Sequence, residues 1–140
     1  MARILSIDYG KRRTGIAVTD PLQIIANGLA TVSTSELFSF LNDYLSHEQV
    51  ERIVIGKPMQ PNGRPSENLQ RVEQFVSRWR KARPDIPVEY VDERYTSVLA
   101  HQAMLAGGLR KKARQDKALV DEISATIILQ SYMESRRFSL

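Results

Sequence analysis

Ile4-Leu5-Ser6-Ile7-Asp8-Tyr9-Gly10-Lys11-Arg12-Arg13-Thr14-Gly15-Ile16-Ala17-Val18 sets the fold. An apolar run, an acid, glycines and a second apolar run read as a strand, a tight turn and a returning strand. Asp8 therefore stands where a strand leaves the core, at the rim of a sheet. Lys11, Arg12 and Arg13 place three cations beside it.

Working outward, the first hairpin pairs Arg3–Asp8 with Thr14–Thr19. Asp20-Pro21 turns the chain into a third strand at about Gly28–Val32. Ser33-Thr34-Ser35-Glu36 supplies N-cap candidates for a helix, in which Leu37, Phe38, Leu41, Tyr44 and Leu45 recur at helical spacing. Ile53-Val54-Ile55, within Glu51–Gly56, is a continuous apolar run typical of a strand covered on both faces. Residues 57–65 hold three prolines and a glycine and read as a loop. Leu69, Val72, Phe75, Val76 and Trp79 then mark one face of a second helix. Val88–Val91 reads as a fifth strand, and Ser97 to about Ala106 as a third helix ended by Gly107-Gly108. Leu109–Gln115 is a basic connector, and Asp116 to about Ser135 is a long final helix. Hairpin strands followed by alternating helix and strand imply a five-stranded mixed sheet flanked by helices. Ile4–Asp8 and Ile53–Gly56 are expected side by side, in parallel, at its centre. Ligands of such sheets bind outside the carboxyl ends of the central strands.

A length of 140 residues favours one domain with a real core. A net charge of +4 and a pI near 9.6 are mild evidence for an anionic partner. Without cysteine there is no disulfide framework and no thiolate metal site. His47 and His101 lack zinc-ligand spacing, and no Walker-type loop is present. With no signal-peptide h-region and no apolar segment of membrane-spanning length, a cytoplasmic protein is expected.

Three acidic positions stand in suggestive contexts: Asp8, the pair Asp92-Glu93, and Asp121 near the start of the last helix. Asp121 shares a helical stripe with Ala125, Ile128 and Tyr132. An acid on a packed stripe needs a partner, and Ser124 and Ala125 are small enough to let the helix approach the sheet. That approach would bring Asp121 toward Asp8. Each acid also has a plainer reading, as a turn residue for Asp8 and as a helix-terminal acid for the others. One basic run follows the first carboxylate, and Arg110-Lys111-Lys112-Ala113-Arg114 precedes Asp121. Converging carboxylates flanked by cations suit metal-dependent chemistry on a phosphodiester.

The motifs resemble the YqgF/RuvX family. Asp8 through Val18 is similar to its opening motif. Ile53-Val54-Ile55-Gly56-Lys57-Pro58 with Asn62-Gly63 is similar to its central strand and loop. Val91-Asp92-Glu93-Arg94-Tyr95-Thr96-Ser97 is similar to its Asp-Glu-Arg motif. Lys117, Asp121, Ser124-Ala125 and Ile127 to Tyr132 are similar to its last helix. The four blocks run in order along nearly the whole chain. The resemblance implies an RNase H-like fold, related to Holliday-junction resolvases. It also implies a nuclease of 16S rRNA 5′-end maturation, with Asp8, Glu93 and Asp121 as catalytic carboxylates. Asp92 stays open as an alternative to Glu93. On this reading Mg²⁺ or Mn²⁺ is the cofactor. Lys11, Arg12, Arg94, Arg110, Lys111, Lys112 and Arg114 would hold phosphates.

The expected partner is nucleic acid, either a structured rRNA precursor or branched DNA, with ribosomal particles as a further candidate and no membrane. Monomer and homodimer both remain open. Competing readings are a junction resolvase and a non-catalytic RNA-binding factor of ribosome assembly. A phosphotransferase of the actin-like class would need two such lobes, and this chain has length for one.

Overall fold

The computed structural model describes residues 2–58, 66–92 and 117–138. Strands β1 (Arg3–Tyr9), β2 (Arg13–Thr19) and β3 (Ala26–Ser33) are followed by helix α1 (Leu37–His47). Strand β4 (Val50–Lys57), helix α2 (Leu69–Ala82), strand β5 (Val88–Asp92) and helix α3 (Lys117–Phe138) complete the described chain. The sheet order is β3-β2-β1-β4-β5. β1 pairs antiparallel with β2 and parallel with β4, and β4 pairs parallel with β5. This is the five-stranded mixed sheet expected, with β1 and β4 adjacent and parallel. The third and fifth strands run longer than their sequence signals. The expected third helix and the basic connector lie outside the described residues.

Helices cover both faces, which is why β1 is apolar without alternation. Leu5, Ile7, Ile16, Val18, Ile53 and Ile55 point to one face, against Leu37 and Leu41 of α1 and Val72, Phe75, Val76 and Trp79 of α2. The five α2 positions read from helical spacing are all buried. Ile4, Ala17 and Val54 point to the other face, against Ala125, Ile128, Leu129 and Tyr132 of α3. Alternation along each strand thus assigns every residue to the α2 side or the α3 side.

α3 lies close to the sheet, as its small residues predict. The Ser6 hydroxyl donates to the Ala125 carbonyl at 2.6 Å, in a fully buried setting. Arg52 fixes the same helix farther along, donating to the Tyr132 hydroxyl at 2.6 Å and to Glu89 at 2.9 Å.

The start of α1 departs from expectation. Thr34–Glu36 forms a 3-10 turn, and neither Ser33 nor Glu36 caps a helix through its side chain. The Thr34 hydroxyl is committed elsewhere: it donates to the Gly10 carbonyl at 2.7 Å and lies 2.9 Å from the Thr14 hydroxyl. A side chain tied across to the β1–β2 turn is not available to cap its own helix.

Candidate active site at the carboxyl end of the sheet

Asp8 is the penultimate residue of β1, partly buried, at the carboxyl end of the central parallel pair. Ile4 and Ser6 face α3, so alternation turns Asp8 to that face too. The turn that follows is held from two sides. The Asn68 amide donates to the Tyr9 carbonyl at 2.7 Å, and Thr34 holds Gly10 through its hydroxyl and Arg12 through its backbone N–H. Gly10 is required in this turn: a Cβ there would stand 2.3 Å from the Arg13 carbonyl oxygen. The backbone after Asp8 is therefore fixed by hydrogen bonds before any ligand arrives.

Asp121 reaches the same place from α3. The register partner of Asp8 on β2 is Gly15. A Cβ on Gly15 would lie 2.1 Å from the Asp121 carbonyl oxygen and 3.1 Å from the Asp121 Cβ. The backbone of Asp121 thus rests directly over the residue that pairs with Asp8. Facing residues in an antiparallel ladder are about 5 Å apart and project to the same side. The two acids are thereby brought together on the α3 face, although 113 positions separate them in sequence.

The Asp121 carboxylate is held by Arg13, whose Nε donates to Oδ2 at 2.9 Å. Arg13 is 45% exposed and Asp121 22%. In the sequence Arg13 stood only as one cation in a run of three. Its parity carried the missing signal: Arg13, Gly15 and Ala17 alternate with Thr14, Ile16 and Val18, and Ala17 belongs to the α3 face. Lys11 and Arg12 are exposed on the turn and make a basic rim beside the acids.

Asp92 goes elsewhere. It pairs in register with Lys57, which lines the α2 side of the sheet, and it is exposed. The neighbouring Val91 packs on the α3 side. Glu93, Arg94, Arg110, Lys111, Lys112 and Arg114 lie outside the described residues. Among the described residues no three acidic, histidine or cysteine side chains form a metal-holding group.

The family described as "RuvX: Holliday junction resolvase" matches residues 2–135. A protein of Phocaeicola vulgatus is 66% identical over 138 residues, covering 99% of each chain. One from Bacteroides thetaiotaomicron is 63% identical over 138 residues, 99% of this chain and all of its own. A third, from Flavobacterium johnsoniae, is 56% identical over 138 residues, again 99% of this chain and all of its own. Each of the three is described as "Putative pre-16S rRNA nuclease". The mixed sheet, the Asp8 hairpin and end-to-end likeness agree, and the chain belongs to the RuvX family.

Proposed function

We propose that this chain is a metal-dependent endonuclease that cuts RNA phosphodiester bonds, with precursor 16S rRNA as substrate and 5′-end maturation as the step it serves. The observation that supports this most is the meeting of Asp8 and Asp121 over Gly15, beside a basic turn. The family, and relatives described as nucleases of pre-16S rRNA, support the same reading.

The donors fit a hard divalent ion. They are carboxylate oxygens, and Asp121 already pairs with a cationic group, the Arg13 guanidinium. Asp8 and Asp121 would hold Mg²⁺ or Mn²⁺, with Glu93 as the proposed third ligand. A bound divalent ion supplies charge neutralisation at the scissile phosphate and acidifies water. Lys11 and Arg12 bind phosphates flanking that position. Arg13 trades its bond to Asp121 for a substrate phosphate, which its planar fork can hold through two N–H groups. Arg94, Arg110, Lys111, Lys112 and Arg114 are the further cations proposed to hold phosphates.

Purified protein incubated with precursor rRNA fragments and with four-way DNA junctions, with and without Mn²⁺, tests the reading. Cleavage of RNA that depends on Mn²⁺ is the expected result. The family's description as a Holliday junction resolvase favours a second reading. Preferred, paired cuts in the DNA junction by a symmetric dimer would establish that one instead. Tight RNA binding with no cleavage of either substrate would make the chain an assembly factor.

Two variants probe the parts separately. Arg13→Gln removes the competitor for Asp121. Calorimetric titration should show Mn²⁺ binding tightened about two- to fivefold, the equivalent of the ~0.4–1 kcal/mol an exposed ion pair can be worth. Unchanged affinity would argue that Asp121 is not a ligand. Replacing Lys111 and Lys112 together with alanine should weaken RNA binding and flatten its salt dependence. Each lost phosphate contact lowers the slope by about 0.7–0.9. Turnover at saturating RNA should change little. An unaltered slope would return the connector to the status of a solvated loop.

A further inference from the structure

On the opposite side of the sheet from α3, helix α2 and strand β5 enclose an open groove of about 660 Å³, lined by Lys57, Glu73, Ser77, Arg80, Lys81 and Tyr90 among others. This volume lies in the range of small-ligand sites and has room for a nucleobase with its sugar and phosphate. Tyr90 is 36% exposed. It is a large aromatic left open beside cations on an edge strand whose preceding inward residue, Val88, is buried. The Arg80 guanidinium lies over the Tyr90 ring at 6.0 Å, and a hydrogen bond of 2.8 Å to the Val88 carbonyl holds it there. Three cations in the lining face one carboxylate, Glu73, and Asp92 lies at the rim beside Lys57.

The groove opens at the same end of the sheet as the acids. Lys57 is the last residue of β4, the strand in parallel register with β1. Tyr90 is aligned with Ile55, and Ile55 with Ile7, so Tyr90 lies level with the residue before Asp8. Two strand spacings separate β5 from β1, about 10 Å. A chain that leaves the Asp8–Asp121 cleft over the carboxyl end of β4 meets Lys57 and then Tyr90. An aromatic face bordered by cations is the chemistry of single-stranded nucleic-acid binding, in which a base stacks and the backbone pairs with positive charge.

We propose that this groove is a second nucleic-acid subsite, which stacks one base of a single-stranded segment on Tyr90 and holds the adjoining phosphates with Lys57 and Lys81. The proposal rests on the reading of the Asp8–Asp121 cleft as a nuclease site, since the segment is continuous with the substrate bound there. The oriented Arg80 supports the stacked ring.

The test uses the full chain carrying Asp8→Asn, with a blunt RNA duplex and the same duplex bearing a 5′ or a 3′ single-stranded tail of about six nucleotides, within the range of one such binding unit. The tails contain 2-aminopurine. A tail of one polarity should tighten binding on the order of tenfold and quench the 2-aminopurine fluorescence. Adding Tyr90→Leu should abolish both effects, whereas Tyr90→Phe, which keeps the ring, should retain them. Lys57→Ala should lower the salt slope of the tailed duplex by about 0.7 and leave that of the blunt duplex unchanged. The groove is not a subsite if the blunt duplex binds and neither tail adds affinity, or if Tyr90→Leu keeps the full gain. If neither the blunt nor the tailed duplex binds the Asp8→Asn chain with Tyr90 intact, the reading of the cleft fails and the subsite fails with it.

Discussion

Asp8→Asn should lower the rate of RNA cleavage by on the order of a thousandfold or more, while the protein folds and binds RNA as before. The substitution keeps the shape of the side chain and removes its charge. Asp8 is the penultimate residue of a strand anchored by fully buried Ile4, Leu5 and Ile7, and its side chain is not part of that core. On the proposed reading Lys11 and Arg12 hold the phosphates, and neither changes. Without metal, removing a carboxylate from the proposed cleft lessens its repulsion of an RNA phosphate, so affinity should hold or rise slightly. Single-turnover cleavage with Mn²⁺ and filter binding in chelator read the two effects separately. Cleavage at the normal rate by Asp8→Asn would end the proposed role of this carboxylate.

Gly15→Ala should disrupt the site through its geometry, with no change of charge. The added methyl would meet the Asp121 carbonyl oxygen at 2.1 Å and its carbon at 2.5 Å. Both are backbone atoms, so no side-chain rotation relieves the contact. Helix α3 must lift, and it is bound to the sheet by the Ser6–Ala125 hydrogen bond and by buried Ala125, Ile128 and Leu129. Overpacking of this kind costs about 1–3 kcal/mol. For a chain of this size that corresponds to a fall in Tm of roughly 3–10 °C. Activity should fall further than stability, because a displacement of about 1 Å in a catalytic group can cost on the order of a hundredfold. Thermal unfolding followed by circular dichroism, together with cleavage below the transition, checks both. A Gly15→Ala protein with unaltered Tm and rate would show that α3 does not rest on β2 this closely.

The two variants separate the chemistry of the site from its assembly. Asp8 supplies charge on a backbone that several hydrogen bonds already fix. Asp121 depends on how closely a helix can approach a strand, and Gly15 sets that distance. Arg13 links the two, since the residue that begins β2 neutralises the carboxylate that α3 delivers.

The local pattern of the chain determined the elements and their faces. The apolar run, acid and glycines around Asp8 specified a hairpin. Ile53-Val54-Ile55 specified a strand covered twice, and Leu69 to Trp79 marked a helix face that is buried throughout. The small residues Ser124 and Ala125 announced a helix packed closely on the sheet. These signals are local, because side-chain periodicity records which face of an element leaves water. At Ser33–Glu36 the N-cap positions fall where the sequence placed them, at Ser33 and Glu36, but no side chain bonds across the cap, and Thr34 spends its hydroxyl on Gly10, 24 residues away in the chain. Only the tertiary structure decided that Arg13, rather than Lys11 or Arg12, would pair with Asp121, 108 residues distant. It also decided that Asp92 pairs in register with Lys57 and so turns to the α2 side. Such pairings arise when elements dock. They depend on register and on the depth of approach at Gly15, which no periodicity within one element encodes.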